Sequence, residues 1–378
     1  MKFIHLSDLH LGKRVNGFSL MEDQKYILDQ IMDILDREGP DAVVIAGDVY
    51  DKPVPPAEAV RLFDDFLCRL AARSLQILVI SGNHDSPERI AFGSRLMEAS
   101  GVHMSPAYRG VTEPVVLSDE DGEVAFYLLP FIKPAHVRPF CEGEEIDSYT
   151  DAVRAAVDRM HIDTGCRNVI VTHQLVTGAW RSESEEISIG GSDNVDADVF
   201  ADFDYVALGH LHGAQTVAGE TVRYCGTPLA YSFSEASQKK SLTVVDMKKK
   251  GDLEVRTVPL VPLRAMREIK GSYMELTARE NYEGTATDDY VHVTLTDEMD
   301  VPDAVQKLRI IYPNLMRLDY DNVRTRAVTV IDEGGDVDNK GPLELFAELF
   351  EKQNGAPMTQ EQSQLASDIA QEIWGDER

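Results

Sequence analysis

The hydrophobic pattern of the first hundred residues switches repeatedly between two periods. Residues 2–7 alternate as a strand does and give way at Asp8. Leu20, Ile27, Leu28, Ile31, Ile34 and Leu35 recur at helical spacing, which predicts a helix over 20–37 that stops at Gly39-Pro40. Ala42–Ala46 is an unbroken apolar run of the kind a buried strand has, and Gly47 and Asp48 end it at once. After PVPP at 53–56 the pattern predicts a helix over about 57–73 and a strand over 75–80 that delivers Asn83 and His84. Ser86-Pro87-Glu88 then starts a helix running to about residue 99. The order β-α-β-α-β-α predicts a sheet with crossover helices.

Further along, short strands dominate 115–132, a helix is expected over 149–160, and strands over 168–172 and 203–208 end at His173 and at Gly209-His210. Strand-like runs continue to about 261 and suit the closure of a two-sheet body. The two prolines of VPLVPLR at 258–264 mark a boundary. Segments 273–276, 290–295 and 316–320, with a helix over 301–309, predict a small α+β domain. The polar DEGGDVDNKG at 332–341 reads as a linker. Two amphipathic helices are expected after it, over 342–353 and 359–374. Their apolar stripes are too short to form a core alone, so they pack back on the parent domain or dock on a partner helix or coiled coil. The expected class is α/β (α+β), divided as 1–261, 262–331, 332–341 and 342–378.

Composition narrows the class. A chain of 378 residues with 43% hydrophobic positions is long enough for two or more buried cores. Its four cysteines lie far apart with no C-x-x-C pair, which argues against a zinc ribbon or disulfide framework and predicts reduced thiols in the cytoplasm. Asp8 and His10 interrupt any signal-peptide core, and no run approaches a membrane span. Net charge is −28. That argues against tight binding to nucleic acid by this chain alone, because such affinity comes from neutralised phosphates. Bound cations or a basic partner would offset it.

The chemistry lies at the strand ends. Asp8 and His10 in HLSDLHLG, Asp48 in AVVIAGDVYD, Asn83 and His84 in ISGNHDS, His173 in VIVTHQ, and His210 and His212 in VALGHLHG are all ligand-type residues after predicted strands. D-x-H and H-x-H put both members on one side of an extended turn. Asp48 reads as a carboxylate bridging two metal ions. Mixed nitrogen and oxygen donors with such a bridge suit manganese or iron, and zinc less exclusively. Two ions about 3.5–4 Å apart can clamp a phosphate, acidify a water and stabilise attacking and leaving oxygens. The expected reaction is phosphoester hydrolysis by in-line attack of water, without a covalent intermediate. His84 is the candidate general acid or transition-state stabiliser. Asp51 either orients His84 or serves as a loop or cap residue. His103, His136, His161 and His292 sit in no ligand-like spacing, and His5 reads as structural.

These motifs resemble the calcineurin-like metallophosphoesterase superfamily. HLSDLHLGK, AGDVYDKPVPP, ISGNHDSPERI, SESEEISIGGSDNV and FDYVALGHLHGAQ narrow the resemblance to the nuclease subunits of double-strand-break repair complexes, densely over 1–235 and diffusely after 262. The resemblance implies two manganese ions, the first held by Asp8, His10, Asp48 and His212, the second by Asp48, Asn83, His173 and His210, with His84 catalytic. It also implies a capping, DNA-binding domain at 262–331 and C-terminal helices that grip the coiled-coil base of an SMC-type ATPase. A homodimer within a 2:2 heterotetramer, associated with the nucleoid, would cleave duplex ends exonucleolytically, and hairpins or single strands endonucleolytically, under ATP control. Archaeal and eukaryotic relatives carry a histidine where this chain has Asp51, so a second-histidine role does not carry over. Lys13, Arg14, Arg89 and Arg181 flank the motifs as candidate phosphate contacts. The competing readings are a phosphatase or phosphodiesterase acting on a small substrate, and a non-catalytic regulator of an ATPase.

Overall fold

A computed structural model describes residues 1–181, 193–323, 325, 346–347, 349–351 and 357–374. Most of the SESEEISIGGSDNV stretch, the 332–341 linker and most of the helix expected over 342–353 lie outside the described residues. The chain divides into two compact units, Met1–Met266 and Arg267–Arg378.

The first unit is built on two six-stranded sheets. One runs in the order Leu253–Pro259, Ser241–Met247, Lys2–Leu6, Ala42–Ala46, Gln76–Ile80, Val102–Met104. The other runs Gln215–Thr216, Val222–Tyr224, Tyr205–Leu208, Arg167–Thr172, Gly122–Leu129, Pro114–Asp119. Each has four parallel strands, with two antiparallel strands added along one side of the first sheet and one at either edge of the second. The parallel strands are hydrophobic almost throughout because both faces are covered. Ala42 to Ala46 are all wholly buried.

Phe3, Val44 and Leu78 of the first sheet share one core with Phe126, Val171 and Tyr205 of the second. Phe3 meets Phe126 and Tyr205 edge-on, with ring centroids 5.4 and 5.7 Å apart. Helix Met21–Glu38 turns Ile27, Leu28, Ile31 and Leu35 inward and ends at Gly39, whose φ of 57° gives the left-handed cap that only glycine adopts cheaply. Helix Ala57–Ala71 buries Phe63, Phe66 and Leu70. Beside the second sheet, Tyr149–Asp158 starts at a capping box in which Ser148 accepts from the Asp151 amide.

One expected helix is broken. Residues 86–99 form two single turns, Pro87–Ile90 and Ser94–Met97, interrupted at Gly93 with φ 75°. In the second unit, Met266–Gly271, Tyr290–Leu295 and Leu315–Tyr320 form a three-stranded sheet whose last two strands are parallel. Residues 273–276 lie in a short helix, Tyr273–Thr277, because Ser272 and Glu275 form a capping box there. Val291, Val293, Leu295 and Leu315 of the sheet pack with Leu308 of helix Ala304–Leu308. A final helix spans Gln360–Trp374 and exposes Leu365 and Ile369 by 60% and 46%.

What positions the site is the pinch between the carboxyl ends of the two sheets. His173 Nδ1–H donates to Ala46 O at 2.8 Å across it. Three glycines make room. A Cβ on Gly47 would lie 2.5 Å from His173 Nδ1, one on Gly82 would lie 2.1 Å from Asp48 Oδ1, and one on Gly209 would lie 1.9 Å from Ala46 O. Each glycine immediately precedes a ligand-type residue: Asp48, Asn83 or His210. Gly209→Ala must push backbone apart, since Ala46 O has no rotamer to escape into. We expect it to lose about 1–3 kcal/mol of unfolding free energy in urea, and an unchanged midpoint would show that the pinch is loose.

Candidate metal centre

Five strand ends meet at one place. Loops after Lys2–Leu6, Ala42–Ala46 and Gln76–Ile80 bring Asp8, His10, Asp48, Asn83 and His84, while those after Arg167–Thr172 and Tyr205–Leu208 bring His173, His210 and His212. Backbone hydrogen bonds lace the loops together: the Asp8 amide donates to Gly47 O at 3.0 Å, the His10 amide to Asp48 O at 2.9 Å, and the Gly209 amide to Thr172 O at 3.1 Å. Asp8, His10, Asp48 and His210 have φ of 53°, 44°, 49° and 101°. Left-handed backbone at non-glycine residues is held only where the surroundings over-determine it, and it concentrates at functional sites.

Asp48 is the centre of the cluster. Its Oδ2 lies 3.3 Å from His173 Nε2 and 3.7 Å from His10 Nε2. Its Oδ1 accepts the His84 amide at 2.9 Å. On one side, Asn83 Oδ1 sits 3.0 Å from His173 Nε2 and 2.9 Å from His210 Nδ1. On the other, the His10 and His212 rings lie 5.2 Å apart. Asp8 contacts the His173 and His210 side: its carboxylate accepts the His210 amide at 3.1 and 3.2 Å, and Oδ1 stands 4.0 Å from His173 Nε2. Asp8, Asp48 and His173 place donor atoms within 4.8 Å of one another, as do His10, Asp48 and His84.

The donors fit divalent cations. Both ring nitrogens of buried His10 have no hydrogen-bond partner, an arrangement that costs a neutral imidazole free energy unless something binds it. Burial pushes His10 well below its usual range and takes His210, aided by the charge of His173, down to about 3. Both are therefore neutral at pH 7 and able to ligate. Burial raises Asp8 to about 6. Burial also opposes ionisation of Asp48, yet the charge and hydrogen bond of His173 hold it below the carboxylate range. His173 is the counterpart: burial would lower it, but Asp48 and then Asp8 raise it to about 9.

His84 is half-buried at the rim, its Nδ1 donating to Asp51 O at 3.1 Å. Asp51 thus reaches His84 through its main chain, whereas its carboxylate pairs with Lys13 at 2.7 Å. The contact to His84 is therefore made by the Asp51 carbonyl, while the carboxylate is taken by Lys13. Arg181 is likewise paired, with Asp193 at 3.1 Å. Arg14 donates to Gly17 O, and Arg89 is exposed.

Sequence reading missed a second layer. Asp85, buried in the GNHD motif, accepts from the amides of Val49, Tyr50 and Gly82 at 3.0, 2.9 and 3.0 Å, tying the Asp48 loop to the Asn83 loop. Gln24, in the first helix, donates to His10 O at 2.7 Å and accepts from the Gly12 amide at 3.0 Å. Glu235 accepts from His212 Nδ1 at 2.9 Å and from Lys240 Nζ at 2.6 Å. Burial disfavours its charge, but those two partners hold it well below the carboxylate range. No spacing rule flags these residues, because Gln24, Asp85 and Glu235 each sit among other polar residues in the sequence.

With this geometry in place, comparison with known proteins is informative. Residues 1–214 match the calcineurin-like phosphoesterase family model, and residues 262–354 match the model described as the type 5 capsule protein repressor C-terminal domain. The D subunit of nuclease SbcCD from Staphylococcus epidermidis is 36% identical over 84% of this chain and 85% of that protein. The protein of the same name from Staphylococcus saprophyticus is 37% identical over 84% of both. Among solved structures, a dimetal phosphatase from Danio rerio aligns over 69% of this chain and 96% of that one, at 12% identity and a TM-score of 0.42, too distant to bear on function. A phosphoesterase match over more than half the chain, and relatives of this identity over most of their own length, lead to one conclusion: the chain belongs to the calcineurin-like phosphoesterases, whose fold carries divalent metal ions, and within them to the SbcD family of SbcCD nucleases.

Proposed function

We infer that this chain is a metal-dependent DNA nuclease, the SbcD component of an SbcCD-type complex, hydrolysing phosphodiester bonds in DNA repair, recombination and replication. The observation that carries the chemistry is the convergence on Asp48 of donors from five strand ends, with His10 buried and unpartnered among them. In this reading Asp8, His10, Asp48 and His212 hold one cation and Asp48, Asn83, His173 and His210 the other. Nitrogen-rich donors with a shared carboxylate favour Mn2+ over Mg2+. Bound cations would supply Lewis-acid polarisation of the phosphate and acidification of a water.

The protein's own groups do the rest. Donation of Nδ1–H to Asp51 O fixes the His84 ring and leaves Nε2 for the leaving oxygen or the developing charge. Lys13 holds Asp51, and with it that carbonyl, in place. Residues 1–261 would form the nuclease domain and 262–331 the capping domain. The exposed Leu365 and Ile369 stripe belongs to the segment that would dock on the coiled coil of the SbcC-type ATPase. A second copy would cover apolar surface, and Phe92 and Leu96 are each 84% exposed.

Purified protein with Mn2+ should cleave labelled hairpin DNA, and His84→Gln should lower that rate by about 10²–10⁴-fold with metal content unchanged. Robust hydrolysis of p-nitrophenyl phosphate without DNA cleavage, even with the ATPase and ATP present, would make the chain a small-substrate phosphatase instead. Deleting residues 342–378 should abolish co-purification with the ATPase and spare metal binding. An intact pull-down would remove the docking assignment.

Metal binding should also be proton-coupled. The raised His173 value stabilises the metal-free fold below pH 6.5, and that contribution fades as pH rises through about 9. A cation must displace this proton, so Mn2+ affinity should climb between pH 6.5 and 9, with roughly one proton released per chain. Calorimetry in buffers of different ionisation enthalpy measures that proton, and its absence would show that His173 is already neutral before a cation binds.

A further inference from the structure

His212 is held from behind by a buried ionic network outside every recognised motif. Glu235 is wholly buried on the short turn Phe233–Glu235. Its Oε1 accepts from His212 Nδ1 at 2.9 Å and from Ser232 Oγ at 3.2 Å, while Oε2 accepts from Lys240 Nζ at 2.6 Å and Thr227 Oγ1 at 3.4 Å. Lys240 Nζ also donates to His212 O at 3.1 Å, Thr227 Oγ1 at 2.7 Å and Gln238 Oε1 at 2.8 Å. The pair therefore grips His212 at its ring and at its main chain.

Nδ1–H donation to a carboxylate selects the tautomer whose lone pair is on Nε2. The ring lies edge-on to His10 at 5.2 Å and to Tyr231 at 6.0 Å. A buried ion pair is an expensive way to brace a loop, since apolar residues do it as well. A carboxylate behind an imidazole gains its value where the imidazole binds a cation, because it fixes ring orientation and raises basicity.

We propose that Glu235, paired with Lys240, is the positioning residue of His212 and sets cation affinity in the half of the site that holds His10. The inference rests on the two-cation reading and adds a determinant that the ligand motifs do not contain. The test is Mn2+ titration of the full-length protein by electron paramagnetic resonance, alongside hairpin cleavage. Glu235→Gln combined with Lys240→Met removes both charges together, so no lone buried charge remains.

The double variant should bind one Mn2+ as the wild type does and the other about 10–100-fold more weakly, with cleavage at fixed Mn2+ recovered as the metal is raised. Glu235→Asp keeps the pair with Lys240 but withdraws the carboxylate from His212, and should weaken the same single site by a smaller factor. It covers the case in which the double variant does not fold. Two wild-type-strength sites in either folded variant, whatever happens to the melting temperature, would overturn the positioning role alone. Fewer than two sites in the wild type would overturn the two-cation reading and this inference with it.

Discussion

Every candidate ligand depends on how closely the carboxyl ends of the two sheets approach. The His173 ring donates to Ala46 O at 2.8 Å, joining the central strand of one sheet to the loop that follows a central strand of the other. The gap between them admits hydrogen and nothing larger at Gly47 and Gly209, and Gly82 leaves the same room for Asp48 within the first sheet. The pairs Gly47-Asp48, Gly82-Asn83 and Gly209-His210 are thus a packing requirement joined to a chemical one. The glycine lets the loops close, and the residue after it is the one delivered to the middle. Left-handed backbone at Asp8, His10, Asp48 and His210 is the strain this closure imposes, of order 1–3 kcal/mol per residue. The shared aromatic and aliphatic core beneath, with Phe3, Phe126 and Tyr205 interlocked, is rigid enough to hold it.

So many buried polar groups would destabilise an ordinary interior. Here nearly each one is answered by another group of the chain. Asp85 takes three amides, Gln24 satisfies the loop of His10, and Glu235 is matched by Lys240. Among the candidate ligands His10 stands out, both of its ring nitrogens lacking a hydrogen-bond partner. That contrast separates a site suited to cations from a polar core that is complete in itself.

The acidic balance of the chain acquires a local meaning. Two of the cations that flank the motifs, Lys13 and Arg181, are committed to Asp51 and Asp193. Under the proposed function, they shape the rim more than they neutralise phosphate. The burden of charge compensation then falls on the bound metals and on a partner's surface, as a net charge of −28 requires.

The chain by itself determined the strands, the order of the ligand-type residues and the chemistry they suit. Buried strands are short apolar runs, and their ends are marked by Gly followed by a polar residue, so Ala42–Ala46 and Asp48 are legible directly. The helix over 20–37 lies within one residue of the observed Met21–Glu38 because its apolar spacing and Gly39 agree. Tertiary structure decided what no local pattern encodes. Asp51 meets His84 through its carbonyl because Lys13, distant in sequence, takes the carboxylate. Glu235 stands behind His212 because a later turn folds back against the strand end. Ligand identity is written in residue type and order, whereas partnership between side chains is set by distances that only the folded chain creates.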